Sequence, residues 1–140
     1  RAIAAMLREV GIEVDVRPSE AATLISDLNR GRFELTLLQV PEVIEPHVLS
    51  WFFDSSRIPG PGREGANRWR YDNPELDRLF EAGRTQIEST ARRATYLDVQ
   101  RVLARDLPVL PLWQPDTVAV VRRGTSYDVP RDGRFGTLAF

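Results

Sequence analysis

The chain contains no cysteine and no lysine, and His47 is its only histidine. The absence of cysteine excludes disulfides, thiolate nucleophiles and cysteine metal sites. The absence of lysine excludes Schiff-base catalysis and the lysine of a phosphate-binding P-loop. A single histidine forms neither a histidine metal cluster nor a histidine pair that relays protons. Together these absences argue against most classes of enzyme, and the sequence indicates no cofactor and no metal.

The charge balance is nearly even, with 19 arginines against 20 acidic residues and a net charge of -1. It does not suit a general nucleic-acid binder, which needs an excess of cations, nor does it offer a polybasic segment for a membrane surface. No apolar run reaches the roughly 18–20 residues that cross a bilayer. The 140 residues amount to one domain.

Helical and strand patterns alternate in the first forty residues. Apolar residues at helical spacing are followed by Gly11 and by Gly31, each placed as a glycine that ends a helix, and Ser19 is a candidate cap for the second helix. Alternating and continuous apolar runs predict two strands. The predicted elements are helices over residues 1–10 and 20–30 and strands over residues 12–16 and 33–40. This order predicts a βαβ unit and an α/β fold, a small sheet flanked by helices.

The rest of the chain is expected to be mainly helical around a long loop. A short helix is predicted over residues 46–53 and a Gly- and Pro-rich loop over 54–72, in which Trp69 and Tyr71 have apolar surface to bury. Two further helices are expected, the first capped by Asp72 or Asn73 and the second beginning at Ser89 or Thr90 and ending before Pro108. Short strands are predicted at residues 110–112 and 118–121, with a turn at residues 114–116.

Ligands of open α/β sheets collect just beyond the carboxyl ends of strands. The strand over residues 33–40 ends at Gln39 and Val40, which are followed by Pro41 and Glu42. At such an edge the carboxylate of Glu42 could hold a cationic group of a ligand, although an exposed loop acid is the competing interpretation. Trp51 offers an aromatic surface, which could form one wall of a ligand site or pack in the core.

Other possible sites have ordinary structural interpretations. The acidic pair Asp98 and Asp106 is expected to form surface ion pairs with neighbouring arginines. The glycines of the loop neither follow a strand nor open a helix, as a phosphate-binding loop must. Arg92 and Arg93 are interpreted as a solvated helix start, and His47 in its loop is not assigned a ligand or a proton.

Several short motifs follow one another along the chain. A helix ends in G-I-x-V at Gly11, Ile12 and Val14, and a second helix ends in a glycine before an apolar strand at Arg30 to Leu35. Asn67 and Tyr71 precede an N-P-E-L-D helix start at Asn73 to Asp77. A helix of the form R-x-x-x-Y-x-x-x-Q-x-x-L then leads to P-x-x-P-L, with the matching residues Arg92, Tyr96, Gln100, Leu103, Pro108, Pro111 and Leu112. In this order the motifs resemble those of one family, the bacterial extracellular solute-binding proteins of the dipeptide, oligopeptide and nickel type, which feed ABC importers.

This resemblance implies a type II periplasmic-binding-protein fold, in which two α/β lobes close over a solute and the loaded protein docks on a membrane permease. Residues 1–140 would be a C-terminal ligand-binding lobe portion, truncated at both ends, and its location periplasmic or extracellular. In peptide-binding members a G-W-x-x-D-like segment follows the buried strand. Here Gln39 and Val40 replace the Gly-Trp and Glu42 falls near the Asp, so an oligopeptide, opine, sugar or metal-chelate ligand remains open.

The expected function is therefore the substrate-binding component of an ABC importer, with ligand-binding residues Gln39, Val40, Pro41, Glu42 and Trp51 and no catalytic residue. The expected partners are a small, peptide-like solute and the permease subunits, and no nucleic acid. One alternative is the ligand-sensing domain of a cytoplasmic transcriptional regulator. Another is a carboxylate-dependent hydrolase, which would need a second acid within about 5–10 Å of Glu42.

Overall fold

The computed structural model describes residues 1–40, 43, 45–114, 120 and 122–124. Its helices are α1 (Ala2–Glu9), α2 (Ala21–Arg30), α3 (Leu49–Phe53), α4 (Pro74–Thr85) and α5 (Ser89–Asp106), with single 3-10 turns at Pro46–Val48 and Ser55–Arg57. The chain divides into two compact units, Arg1–Leu35 and Thr36–Phe140. Each unit is described by itself below.

The first unit contains α1 and α2, and both helices end as the sequence predicts. Gly11 and Gly31 have φ of +84° and +70°, the left-handed conformation that glycine adopts at little cost. The amide of Ile12 donates to the carbonyl of Leu7 at 2.9 Å, and the amide of Arg32 donates to the carbonyl of Asp27 at 2.9 Å. These bonds satisfy carbonyls that each helix end would otherwise leave unpaired. The start of α2 differs by one residue from the prediction, since Glu20 and not Ser19 is its first flanking residue.

The α/β prediction is wrong for the part of the chain that the structure describes, where no β-strand forms and one isolated antiparallel bridge joins Gly60 to Arg63. Residues 12–16 and 33–40 are irregular, and Ile12, Leu35 and Leu37 are exposed. Their sequence patterns show the order of apolar side chains along the chain. A strand also needs a neighbouring backbone that forms hydrogen bonds with its N–H and C=O groups. The strand predicted at 110–112 fails in the same way. Of residues 118–121 only Val120 is described, and residues 115 and 116 of the predicted turn lie outside the described part.

The second unit is built on an aromatic and aliphatic core. Helix α3 supplies Phe52 and Phe53, the following loop supplies Ala66, and the long helices supply the remainder. The buried members are Phe52, Phe53, Ala66, Leu76, Phe80, Tyr96, Val99 and Val102. The Trp69 ring packs beside Phe53 with centroids 5.5 Å apart, so the loop prediction for Trp69 is confirmed. Ile87, which follows α4, lies outside this core, because its side chain is 98% exposed.

Helices α4 and α5 pack against one another in opposite directions. The side chain of Asn73 caps α4 by accepting from the amides of Glu75 and Leu76 at 2.9 and 3.3 Å, as predicted. Near the same place, the end of α5 is held by Asp106, whose carboxylate accepts from the Tyr71 hydroxyl at 2.6 Å and from the Asn73 amide at 2.8 Å. Arg105 and these two donors hold the pKa of Asp106 below its usual range.

Helix α5 begins at Ser89 and ends before Pro108, as predicted. Its cap is Glu88, whose carboxylate accepts from the amides of Thr90 and Ala91 at 2.9 and 2.6 Å, and these bonds lower the pKa of Glu88. At the other end Leu107 takes a left-handed conformation with φ of +46°, and the chain leaves the helix before Pro108, as predicted. Nearer its start α5 passes so close to α4 that a Cβ on Gly83 would stand 2.8 Å from the Tyr96 ring.

Candidate functional site

An open groove of about 600 Å³ runs along the first half of α5 in the second unit. Its volume lies in the range of small-ligand sites, although the groove is not enclosed. Its lining mixes apolar side chains with guanidinium groups and includes Pro46, Ile87, Arg92, Arg93, Tyr96 and Leu97. Ile87 and Leu97 expose 98% and 43% of their surface, so apolar area is available to an incoming molecule.

The groove rests on a network that joins α5 to the 3-10 turn at Pro46–Val48. His47 Nδ1 lies 2.7 Å from the Tyr96 hydroxyl, and its Nε2 lies 3.5 Å from Ser50 Oγ. Either neutral tautomer of His47 satisfies both contacts, because the hydroxyls of Tyr96 and Ser50 can each donate or accept a hydrogen bond. Burial raises the pKa of the Tyr96 phenol, which keeps this hydroxyl protonated at neutral pH.

Arg92 is fixed from three sides at the rim of this network. Its guanidinium forms an ion pair with Glu45, donates from Nε to the Gly83 carbonyl at 3.1 Å, and lies 5.0 Å from the centroid of the Tyr96 ring. The bond to Glu45 raises the pKa of Arg92. Arg92 therefore acts as a fixed positive charge, because Glu45 and the Gly83 carbonyl accept hydrogen bonds from its guanidinium.

The neighbouring Arg93 is the available cation of the groove. It is exposed and makes no ion pair with any residue that the structure describes. Leu97 follows it by one helical turn, so that a guanidinium and an apolar side chain stand side by side on α5. This pairing suits a small molecule that carries a carboxylate beside an apolar group.

The His47 and Ser50 contact does not complete a hydrolytic triad. A triad requires a carboxylate on the far nitrogen of the histidine, and in this protein the Tyr96 hydroxyl occupies that position. Within the described residues, no group of three or more His, Asp or Glu side chains could hold a metal ion. The acidic residues weighed above have the structural roles predicted for them, since Asp98 pairs with Arg101 at 2.6 Å and Asp106 with Arg105 at 2.7 Å.

Of the residues predicted to bind ligand, the described ones, Gln39, Val40 and Trp51, do not line this groove. Gln39 and Val40 are exposed and irregular in structure, while Pro41 and Glu42 lie outside the described residues. Trp51 is 41% exposed on α3, and the Arg57 guanidinium lies 4.7 Å from the centroid of its ring. The prediction that these five residues form a binding site is not tested by this structure and stays a prediction.

Sequence reasoning missed the groove because its parts come together only in the folded chain. The interpretation of Arg92 and Arg93 as a solvated helix start is half right, since Arg93 is exposed whereas Arg92 is partly covered. Arg92 and Tyr96 are four residues apart and share a helix face, which is the one local signal available. Nothing local in the sequence places His47 and Glu45, nearly fifty residues earlier, beside them.

No protein-family model matches the chain, and no solved structure matches it. Two curated proteins of Escherichia coli strain K12 are distantly similar to it. The periplasmic murein peptide-binding protein MppA is 25% identical over 115 residues, which is 81% of this chain and 20% of MppA. The probable D,D-dipeptide-binding periplasmic protein DdpA is 24% identical over 110 residues, 77% of this chain and 20% of DdpA.

The chain thus spans about a fifth of the length of these relatives. The similarity agrees in part with the resemblance stated above, because both relatives are named as periplasmic peptide-binding proteins. It leaves the assignment of residues 1–140 to a C-terminal lobe a prediction. Among the described helices, none has both the length and the apolar character needed to cross a membrane.

Proposed function

We propose that this chain is part of a periplasmic or extracellular solute-binding protein that captures a peptide-like solute and delivers it to the permease of an ABC importer. The observation that carries the proposal is the similarity over 81% and 77% of the chain to two proteins named as periplasmic peptide-binding proteins. The proposal assigns the chain no chemical step and no cofactor, so its role is to bind and release.

The chemistry of the α5 groove is compatible with such a solute. A short peptide presents a terminal carboxylate and apolar side chains, and the groove presents Arg93 beside Leu97 and Ile87. Charge-assisted hydrogen bonds from a guanidinium to a carboxylate are stronger than neutral ones. An open groove leaves these bonds exposed to water and salt, so the groove by itself is expected to bind weakly.

The test is a thermal-shift and calorimetric screen on the full-length protein with defined dipeptides. The probes are D-alanyl-D-alanine, L-alanyl-L-leucine and the C-terminal amide of the latter, which lacks the carboxylate. A ligand at one hundred times its Kd stabilises the folded state by about 2.7 kcal/mol, which appears as a higher melting temperature. Failure of every peptide in a broad dipeptide and tripeptide pool to shift the melting temperature would contradict the proposal.

Matched substitutions then identify the contact region. Arg93→Gln removes the free cation of the groove, and Glu42→Gln and Trp51→Ala alter the site predicted from sequence. Arg78→Gln is the control, because Arg78 is an exposed arginine of α4 that does not line the groove. Weaker binding in Arg93→Gln alone assigns the solute to the groove. Weaker binding in the other two variants assigns it to the predicted site.

A further inference from the structure

The loop that follows α3, residues 54–72 and called the arginine loop below, is held in one conformation by a buried asparagine. Asn67 has no solvent-exposed surface. Its side-chain amide donates to the carbonyls of Asp54 and Tyr71 at 3.0 and 2.7 Å, and its side-chain oxygen accepts from the amide of Tyr71 at 3.0 Å. One side chain thereby joins the two ends of the loop.

Backbone contacts inside the arginine loop add to this order. A Cβ on Gly65 would stand 1.9 Å from the carbonyl oxygen of Arg57, so two backbone segments touch at a point where only glycine fits. At the tip, Gly60 and Arg63 exchange backbone hydrogen bonds of 3.1 and 3.0 Å around Pro61 and Gly62. Gly62 has φ of +67°, as the third position of a type II turn requires. The loop is therefore built to hold its side chains in place.

The charged side chains in the middle of this loop are mostly cationic, whereas its two ends carry Asp54 and Asp72. Residues 57–70 contain four arginines against one glutamate. Arg57, Arg63 and Arg70 are exposed, and Arg70 holds a left-handed backbone conformation with φ of +55°. Neither Arg57 nor Arg63 pairs with a carboxylate of the described residues, whereas Arg84, Arg92, Arg101 and Arg105 of α4 and α5 all do.

Trp51 adjoins this cationic surface. The guanidinium of Arg57 lies 4.7 Å from the centroid of the Trp51 ring, and the backbone carbonyl of Trp51 accepts from the amide of Ala66 in the loop at 3.3 Å. The Trp51 indole is 41% exposed and keeps a guanidinium on its face, so apolar and cationic surface are presented together. Tryptophan and arginine are also the residue types that supply most of the binding energy at protein interfaces.

We propose that Trp51, Arg57 and Arg63 form a docking surface for an acidic segment of a partner protein. Guanidinium forks bind carboxylates through two parallel hydrogen bonds, which gives the complex a defined geometry as well as attraction. A loop already fixed by Asn67 loses little conformational freedom on binding. The proposal does not depend on the α5 groove, whose lining residues are different. Trp51 is shared with the site predicted from sequence, so the test below alters only Arg57 and Arg63.

An acidic protein segment fits this surface better than an anionic membrane does. Binding to lipid headgroups usually needs clusters of four to eight cations with no acid among them, and Glu64 lies directly beside Arg63. Trp51, the tryptophan of this surface, also offers little apolar area for insertion into a bilayer. Membrane binding is accordingly an outcome that would overturn the proposal.

The experiment measures binding of the full-length protein to a fluorescein-labelled octapeptide of glutamate by anisotropy, with the matching glutamine octapeptide as the uncharged probe. The double substitution Arg57→Glu with Arg63→Glu is expected to weaken binding of the glutamate peptide about tenfold, since exposed pairs each contribute modestly and reversal adds repulsion. The control is Arg32→Glu with Arg78→Glu, which reverses two exposed charges elsewhere and should leave binding within about twofold. Circular dichroism of both variants checks that the fold is retained.

Support requires three results together: tighter binding of the glutamate than of the glutamine peptide, loss of affinity as salt is raised, and selective loss in the loop variant. Equal weakening in the control variant would show attraction to net charge alone and would overturn the proposal. So would binding to phosphatidylglycerol vesicles that the loop variant abolishes while peptide binding stays unchanged.

Discussion

The two units of this chain contain similar helical patterns and differ in what those patterns bury. In Arg1–Leu35 the apolar stripe of α1 remains open, with Met6 65% exposed and no buried residue on the helix, and α2 buries Leu28 alone. In Thr36–Phe140 helix α5 is rich in charged residues yet buries Tyr96, Val99 and Val102. An apolar stripe makes burial possible, but neighbouring elements decide whether burial occurs.

Aromatic residues explain much of this difference. Phe33 is the only Phe, Trp or Tyr among the first 35 residues, whereas the second unit places Phe52, Phe53 and Phe80 in one core. Large aromatic side chains bury more surface per residue than any others. A short segment without them has little area with which to offset the conformational entropy lost on folding.

The largest expected effect comes from emptying the core of the second unit. Phe80→Ala removes a ring that is almost wholly buried and should lower the free energy of unfolding by about 3–5 kcal/mol. The matched change in the first unit is Met6→Ala on α1, expected to cost less than about 0.5 kcal/mol because its side chain is exposed. Urea denaturation measures both, and equal losses would show that the two units do not differ in this way.

A second contrast concerns the irregular segments of the two units. Asn67→Ala leaves the carbonyls of Asp54 and Tyr71 and the amide of Tyr71 without their partner, and should cost roughly 2–4 kcal/mol. Ser19→Ala in the first unit removes only a long contact of 3.4 Å to the neighbouring carbonyl and should be nearly neutral. Thermal denaturation of the two variants compares them, and a neutral Asn67→Ala would refute the anchoring role given to Asn67.

The smallest expected effect is a pH dependence that belongs to the second unit. Burial, followed by the bond to Asp106, raises the pKa of Tyr71 to about 12, against about 10 in an unfolded chain. The protonated phenol therefore stabilises the folded state fully below pH 10, and this contribution is lost as the pH rises from about 10 to 12.

Unfolding free energies measured across that pH window check the effect. Tyr71→Phe should reduce the alkaline fall in stability without removing it, because burial also raises the pKa of Tyr96. Absorbance at 295 nm should lose the amplitude of one phenol in the variant, and the lost amplitude should lie near pH 12. A loss near pH 10 instead would mean that Tyr71 ionises as it does in water.

The sequence was a good guide to helices and to local contacts, because helix ends depend on nearby residues. The glycines after α1 and α2, the Asn73 cap and the loop contacts of Asn67 and Tyr71 all follow from short-range chemistry. The cap of α2 was misplaced by one residue, since Glu20 and not Ser19 precedes the helix. A carboxylate or a hydroxyl can occupy such a position, and the sequence pattern alone does not choose between them.

The strands and the site were beyond local reasoning. The apolar run that ends at Gln39 and Val40 has the composition of a buried strand, but strand formation depends on a pairing partner that composition does not specify. The network of His47, Tyr96, Arg92 and Glu45 joins residues nearly fifty positions apart. The contact of Arg57 with the Trp51 ring spans five intervening residues, whose backbone could place the two side chains in many other ways.

Leu107, where α5 ends, leaves room to improve the protein. A left-handed backbone destabilises the folded state by about 1–2 kcal/mol at an L-residue and does not do so at glycine. Leu107 has this conformation and is largely exposed, so packing of its side chain offsets little of that cost. Natural chains commonly retain such unused stability. Leu107→Gly would therefore raise the free energy of unfolding. In that background, core and loop variants that would otherwise unfold could still be purified and compared.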